Sequence, residues 1–121
     1  MYTYRLAAAA ASIGLVLASA VVEPASARAA ATAYLVNVTV RPGYHFSGAD
    51  DALQYGFGLC GDVADGHPYA ALIGRVKADM QTGDDYQAAY LINQAVNELC
   101  PAQIWQLRNS AAGYHVPIGP S

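Results

Sequence analysis

The sequence predicts an all-α fold, a small bundle of three to four short helices closed by one disulfide between Cys60 and Cys100. Three observations lead to this prediction. Apolar residues recur at helical spacing in several segments after residue 47. Residues typical of helix starts and stops separate these segments. The two cysteines follow a segment with the features of an export signal, which leaves them a single intramolecular pairing.

Residues 1–27 have the order of features found in a cleavable Sec signal peptide. The features are the charge of Arg5, the apolar run Leu6 to Leu17, and small-residue sites at Ala18-Ser19-Ala20 and Ala25-Ser26-Ala27. We expect cleavage after Ala27, because the helix-breaking Pro24 lies just upstream of the second site. The alternative is an uncleaved membrane anchor, since the apolar stretch extended to Val22 approaches a spanning length. Cleavage predicts a secreted or envelope-associated protein.

The charge balance excludes several classes of partner. The formal net charge of the 121 residues is −3, and cleavage would leave it unchanged because Arg5 and Glu23 are removed together. No cluster of lysine and arginine could neutralise a run of phosphates, so we expect no nucleic-acid partner and no basic membrane-surface patch. We also expect no membrane span after signal cleavage. The remaining length suffices for one hydrophobic core and not for a second domain.

The two cysteines are interpreted as a structural disulfide. Cys60 and Cys100 would close a loop of about 40 residues, which the chain-entropy model values at roughly 4 kcal/mol of stability. A reactive or metal-binding thiol would need a nearby histidine, a basic neighbour or a Cys-x-x-Cys spacing. Neither cysteine has such a neighbour. The bridge is therefore expected to stabilise the fold.

The disulfide-tied helical domain is predicted over residues 47–112. Its first helix should begin at a capping box formed by Ser47 and Asp50. The apolar stripe of this helix is expected at Ala49, Leu53, Phe57 and Cys60, with Ala52, Gly56, Val63 and Ala64 beside it. The sequence Asp65-Gly66-His67-Pro68 should then end the helix, because proline cannot continue the hydrogen-bond ladder.

Two further helices and a short fourth segment complete the predicted domain. The second helix should start near Pro68 and end at Gly83. Thr82 and Asp85 repeat the capping spacing before the third helix. Its stripe is expected at Tyr86, Ala89, Ile92, Val96, Leu99 and Cys100. Pro101 interrupts this pattern, and Ile104, Trp105 and Leu107 indicate one more short helix.

The segments on either side of this domain are less regular. Residues 28–46 are predicted to form an N-terminal arm or a short helix, and residues 113–121 an irregular tail. Val36, Val38 and Val40 alternate as in a β-strand. A lone strand would have no partner in a helical domain, so residues 34–40 are expected to form a helix or an extended arm.

Candidate catalytic and metal-binding residues are few. His45, His67 and His115 each lie near an aromatic residue, and three imidazoles could bind zinc if their loops converged. None has a second ligand within helical reach, so we favour loop histidines beside packing tyrosines and predict no metal or cofactor. Asp84 and Asp85 are adjacent and would point in different directions on a helix. No serine lies in a Gly-x-Ser-x-Gly context, and we therefore predict no enzymatic activity.

The tyrosines are the candidate interface residues, because tyrosine combines apolar area with a polar tip. Tyr69, Tyr86 and Tyr90 fall near the predicted stripes and are expected to fill the core. Tyr44, Tyr55 and Tyr114 lie away from the stripes and are the candidates for contact with a partner.

Three stretches carry a resemblance to a known family: Tyr34-Leu35-Val36, Leu59-Cys60 and Ala95 to Pro101 with its Cys-Pro ending. From about Tyr34 to Ala112 the chain resembles the domain of unknown function 732 family of small secreted mycobacterial and related actinobacterial proteins. The resemblance implies a compact helical bundle tied by the disulfide and exported to the envelope. It implies no activity and no catalytic residue. The chain departs from the family pattern at Val38 to Gly43, where the first helix is less clearly marked.

Two functional hypotheses of different classes follow. The first is a non-enzymatic module that binds an envelope or extracellular macromolecule through an aromatic surface. The alternative is a carrier that holds a small apolar ligand or lipid between its helices. An enzyme is the third and least favoured hypothesis.

Overall fold

The structure is a computed structural model and describes residues 24–116. Most of the predicted signal peptide, residues 1–23, and the end of the predicted tail, residues 117–121, lie outside the described residues. The helices are α1 (Ala25–Val40), α2 (Ala49–Ala64), α3 (Tyr69–Asp79), α4 (Asp85–Leu99) and α5 (Ile104–Ala111), with a 3-10 turn (Pro101–Gln103) before α5. No strand occurs in residues 24–116, so the all-α prediction is confirmed.

Helix α4 lies at the centre of the bundle and contacts all four other α-helices. Its apolar residues recur every three or four positions, so that one broad face is buried. This face comprises Ala88, Leu91, Ile92, Ala95 and Val96, each completely buried. Helix α1 runs antiparallel to α4, because Asn37 bonds to Gln94 and Arg41 bonds to Gln87. The core therefore surrounds α4.

The segment that the sequence left open between helix, strand and arm is helical. It forms the second half of α1, in which Tyr34 and Val38 lie one turn apart and face the core. The alternating valines fall on different faces, since Val38 is buried whereas Val36 and Val40 are 52% and 72% exposed. The predicted cleavage after Ala27 lies in the exposed first turn of α1. Cleavage there would leave the packed half of the helix intact.

The predicted apolar stripe of α2 was partly wrong. Ala49 and Phe57 are exposed, Phe57 to 53%. The buried face is instead formed by Ala52, Gly56, Leu59, Cys60 and Val63. The reason is the contact with α1, in which the Tyr34 hydroxyl donates to the carbonyl oxygen of Ala52 at 2.8 Å. This contact turns the Ala52 side of α2 inward.

The predicted start of α2 was also wrong. Gly48 occupies the N-cap position and provides no side-chain cap. Ser47 does not cap with Asp50. Its backbone N–H donates to the carboxylate of Asp51 at 3.0 Å, and its hydroxyl donates to the same oxygen at 3.3 Å. The carboxylate thus stabilises the turn that precedes the helix.

The junction between α3 and α4 differs from the prediction in three ways. Helix α3 ends at Asp79 and is followed by Gln81 in a left-handed conformation with φ of 54°, so Gly83 does not end it. Asp84 caps α4 by accepting from the backbone N–H of Tyr86, a role predicted for Thr82 and Asp85. Tyr86 is 71% exposed and does not fill the core, because its neighbour Asp85 takes the inward position.

The disulfide between Cys60 and Cys100 is present as predicted. It joins the last part of α2 to the residue that follows α4. Cys60 is buried, and Cys100 packs against the core. The bridge therefore links the chain at the point where α2, α4 and the 3-10 turn meet.

A buried carboxylate ties the segment after α5 to the bundle. Asp85, only 6% exposed, accepts from the ammonium of Lys77 at 2.6 Å and from the hydroxyl of Tyr114. The Tyr114 ring packs edge-on against Tyr69 with ring centroids 5.2 Å apart. These hydrogen bonds, from Lys77 first and Tyr114 second, lower the pKa of Asp85. The bond to Asp85 raises the pKa of Tyr114 to about 12.

Replacing both cysteines with serine should cost roughly 4 kcal/mol of unfolding free energy, because the bridge closes a loop of 40 residues. Denaturant unfolding of the oxidised protein and of the C60S/C100S variant would measure the loss. Equal stability of the two proteins would contradict a stabilising role for the bridge.

Two glycines of α2 should respond to alanine in opposite directions. A Cβ at Gly56 would lie 2.6 Å from Leu99 Cδ1 and 2.8 Å from Tyr34 Cζ, whereas a Cβ at Gly61 would have no neighbour within 4 Å. G61A should raise the unfolding free energy by up to about 1 kcal/mol, because alanine favours the helix. G56A should lower it by about 1–3 kcal/mol through overpacking. Denaturant unfolding checks both, and a stabilising G56A would contradict the close packing of α1 on α2.

Asp85 with its two hydrogen-bond donors, Lys77 and Tyr114, which we call the Asp85 cluster, should make the fold less stable in acid. Because the folded pKa of Asp85 lies below its ordinary value of about 3.9, its contribution is present above that value and is lost as the pH falls through the folded pKa. D85N should cost roughly 1–3 kcal/mol at neutral pH, and this cost should shrink in acid. Unfolding curves over a pH series check this. D65N, which removes an exposed carboxylate, is the control and should show a small cost at every pH.

Candidate functional site

A surface pocket of about 220 Å³ lies where the end of α1, the loop 41–48 and the start of α2 meet. Its lining is largely apolar and comes from all three segments. The lining residues are Leu35, Val38, Thr39, Tyr44, Phe46, Gly48, Ala49 and Ala52. The small side chains at the start of α2 leave the space, and the two aromatic residues come from the loop. Small residues of α2 therefore lie opposite two aromatic residues of the loop, and this arrangement leaves a cavity at the edge of the core.

The loop that forms one side of the pocket is held by Gln87 of α4. The Gln87 amide donates to the carbonyl oxygen of Pro42 at 2.7 Å and accepts from Arg41 Nε at 2.8 Å, while its backbone carbonyl accepts from the Tyr44 hydroxyl. Gly43 has φ of +107°, and a Cβ there would lie 2.2 Å from the Gln87 amide nitrogen. Glycine therefore permits both the turn and the close approach. These bonds define the position of the pocket wall.

Three aromatic rings form a row along this wall. The ring centroids of Tyr44 and Phe46 are 6.3 Å apart, and those of Phe46 and Tyr55 are 5.7 Å apart. The Tyr55 hydroxyl donates to Asp79 at 2.7 Å, and the Arg75 guanidinium lies 5.7 Å from the Tyr55 ring centroid. The row thus extends from the pocket to the last turns of α3.

The tyrosines of this row remain neutral at physiological pH. Burial raises the pKa of Tyr44 to about 12, although the positive charge of Arg41 offsets part of the effect. Burial, and next the hydrogen bond to Asp79, raises the pKa of Tyr55 well above its usual value. Both hydroxyls already donate to fixed acceptors. The geometry therefore suits the rings to contact rather than to proton transfer.

The solvent-facing side of α1 next to the pocket is uncharged. Val36, Thr39 and Val40, which we call the α1 face, are exposed, and Thr39 also lines the pocket with Leu35 and Val38. Arg28, far from these residues at the other end, is the single charged residue in the whole of α1. Surface helices usually present polar and charged side chains to water. The pocket is thus continuous with an exposed apolar strip.

Two acidic residues lie in the first turn of α2, next in the chain to residues that line the pocket. Asp50 and Asp51 are exposed and directly follow Ala49 at the start of α2. Among residues 24–116, no lysine or arginine lies within ion-pair distance of either carboxylate. The positive end of the helix dipole stabilises both carboxylates. The start of α2, which contributes Gly48, Ala49 and Ala52 to the pocket, therefore carries two exposed negative charges.

The structure distributes the three predicted interface tyrosines over two places. Tyr44 lines the pocket, and Phe46 links it to Tyr55. Tyr114 belongs instead to the Asp85 cluster. All three rings pack in part against the core, and their contact with a partner stays a prediction. Tyr69 and Tyr90, expected in the core, are partly buried.

Most of the pocket lining was not predicted from the sequence. Residues 28–46 were interpreted as an arm or short helix, so Leu35 and Val38 of α1 were not placed opposite Ala49 and Ala52 of α2. The signal available in the sequence was the spacing of four residues between Tyr34 and Val38. This spacing places both residues on one face of a helix, although it also fits one face of a strand. A helix there, followed by a loop with two aromatic residues, would have indicated a pocket.

The histidines do not form a metal site within residues 24–116. This part of the chain contains no group of three or more histidine, cysteine, aspartate or glutamate side chains able to hold a metal ion. His67 lies beside Asp62, with Nδ1 3.0 Å from the Asp62 carbonyl oxygen, and His45 and His115 are exposed. The convergence of loops that zinc binding would require is not seen.

Comparison with known proteins places the chain in a family. The family described as "Protein of unknown function (DUF732)" matches residues 26–102, which include α1 to α4 and both cysteines. Neither a curated protein nor a solved structure matches the chain. Within the described residues no helix is long and apolar enough to cross a membrane. Because the match extends over well more than half of the 121 residues, the chain belongs to the DUF732 family.

Proposed function

We propose that this protein is a non-enzymatic binding module of the cell envelope or extracellular space, and that it holds another protein by inserting one apolar side chain of that protein into the α1–α2 pocket. The observation that carries the proposal is the pocket itself, about 220 Å³ of largely apolar space beside an exposed apolar strip. Buried disulfides are typical of proteins outside the cytoplasm, which supports the location.

The size of the pocket favours a side chain over a whole ligand. Sites for small molecules usually have volumes of about 300–1,000 Å³ and enclose most of the ligand. This pocket is smaller and lies at the edge of the bundle, while the space between the helices is filled by Leu59, Leu91 and Ile92. A cavity of this size suits one aromatic or branched side chain. The carrier hypothesis needs a larger cavity between the helices.

The surroundings of the pocket match the anatomy of a protein interface. Binding energy in such interfaces is concentrated where a few large side chains enter pockets, and neighbouring contacts exclude water. Val36 and Val40 provide an apolar surface for such contacts next to the pocket. Tyr44 and Phe46 add aromatic rings, which are enriched in interfaces. The Gln87 bonds hold the loop in place before binding, which lowers the entropy lost on association.

Site-specific photo-crosslinking tests the proposal. The full-length gene is expressed in a bacterial host that exports the protein, with a photoreactive amino acid at Val40 on the α1 face. We expect covalent products with protein after irradiation of intact cells. The substitution A49F, which fills the pocket, should reduce these products at least tenfold, because the partner's side chain could no longer enter. Mass spectrometry identifies the crosslinked peptides.

A photoreactive residue at Ala78, which is exposed on α3, provides the matched control and should give no product that depends on Ala49. Products at Val40 that are insensitive to A49F would contradict a role for the pocket. Native mass spectrometry of the purified protein tests the alternative, that the protein is a carrier of a small apolar ligand or lipid. A discrete adduct of lipid mass that A49F abolishes would favour the carrier hypothesis.

A further inference from the structure

The largest exposed aromatic side chain lies on α5. Trp105 is 70% exposed, although tryptophan is usually well buried. The guanidinium of Arg108, one helical turn further on, lies 5.5 Å from its ring centroid. An aromatic ring with a neighbouring positive charge is thus presented to solvent.

We propose that the pocket of one copy of this chain binds Trp105 of a second copy. The inference rests on the proposed function, since it assigns the side chain that enters the pocket. Tryptophan and arginine are the residues most enriched at the energetic centres of protein interfaces. The apolar lining of the pocket matches the indole ring. The pairing therefore joins an exposed tryptophan ring to an apolar pocket.

Charge complementarity supports the same pairing. Asp50 and Asp51 lie in the first turn of α2, next in the chain to the pocket residue Ala49, and neither carboxylate has a lysine or arginine partner among residues 24–116. Arg108 has no carboxylate within ion-pair distance in the same part of the chain. In the pairing that we propose, Arg108 would come near the acidic start of α2 when the indole enters the pocket. Opposite charges at the rim of an interface set its orientation and speed association.

The contact must form between copies, because the two sites lie at opposite ends of α2. The Gln106 amide donates to the carbonyl oxygen of Val63 at 2.6 Å, which places the start of α5 beside the last turn of α2. The pocket is lined by Gly48 and Ala49 at the first turn. The 16 residues of α2 separate these ends by about 24 Å. Trp105 therefore cannot reach the pocket of its own chain.

Two copies can fill both pockets if each copy inserts its Trp105 into the pocket of the other. In a two-fold dimer, each copy inserts its Trp105 into the other copy's pocket, so that no site remains open. A single head-to-tail contact would leave one pocket and one Trp105 free and would continue into longer chains. The closed dimer is the state that we assign.

Analytical ultracentrifugation of the exported full-length gene product tests the dimer, after intact mass has identified its N-terminus and its disulfide. We expect a concentration-dependent monomer–dimer equilibrium in the micromolar to millimolar range. W105A and A49F should each weaken dimerisation by about 30-fold or more, the loss typical of a central tryptophan. F57A is the matched control, because it removes another exposed aromatic ring outside the pairing and should leave the equilibrium unchanged.

Mixing the two defective variants gives the decisive result. W105A retains an intact pocket and A49F retains Trp105, so an equimolar mixture should form a heterodimer through one restored contact, although each variant alone dimerises only weakly. Restoration on mixing cannot result from misfolding of either protein. A second complementation uses charge, since R108E should weaken the dimer and D50K in the same chain should restore it.

The remaining outcomes overturn the inference in distinct ways. A protein that stays monomeric at every concentration, or a dimer that survives W105A, excludes the Trp105 contact. If the Val40 crosslinks to a different protein still depend on Ala49, the proposed function stands and its partner is not a second copy. If those crosslinks are also absent, the proposed function fails together with the inference.

Discussion

The contact of Tyr34 with α2 is the interaction on which the rest of the structure depends. Its ring is completely buried, and its hydroxyl donates to the carbonyl oxygen of Ala52. Burial raises the pKa of Tyr34, so the hydroxyl keeps its proton and remains a donor. A buried hydroxyl without a partner would be costly, which makes this orientation of α1 specific. The contact fixes how α1 lies on α2, and the pocket is formed between these two helices.

Gly56 allows this contact, and the disulfide secures its surroundings. The Tyr34 ring occupies the space that a side chain at position 56 would need, together with Leu99 near the end of α4. Cys100 directly follows Leu99 and is bonded to Cys60, which lies one helical turn after Gly56. The close approach of three helices and the covalent link therefore lie side by side. Small residues and a disulfide compensate for the limited core of so short a chain.

The sequence predicted the features that depend on neighbouring residues in the chain, and it did not predict those that depend on contacts between helices. The helical class, the start of α3 after Pro68 and the pairing of Cys60 with Cys100 follow from chain-breaking residues and cysteine number, and the structure confirms them. The exposure of Phe57 was mispredicted, because helical spacing alone allows two adjacent stripes and the contact with Tyr34 selects one. The pocket could not be predicted, because it requires the orientation of α1 relative to α2.

The first turn of α4 shows how non-local contacts decide such details. Asp85 and Gln87 both engage distant segments, Asp85 through Lys77 and Tyr114, and Gln87 through the loop 41–48. Tyr86 between them is left to face solvent, although its ring is the most apolar of the three side chains. The polar residues take the inward positions because each satisfies several hydrogen bonds there.

The same arrangement explains why the pocket is formed before any partner binds. Gln87 lies on the same helix as the completely buried residues Ala88, Leu91 and Ile92, so the loop that it holds is attached to the packed core. Tyr44 is bonded to the backbone of Gln87, and its ring is thereby placed in the pocket wall. A partner side chain would enter a cavity whose walls are already ordered. Little conformational entropy would then be lost on binding, so a small pocket could contribute most of its contact energy to affinity.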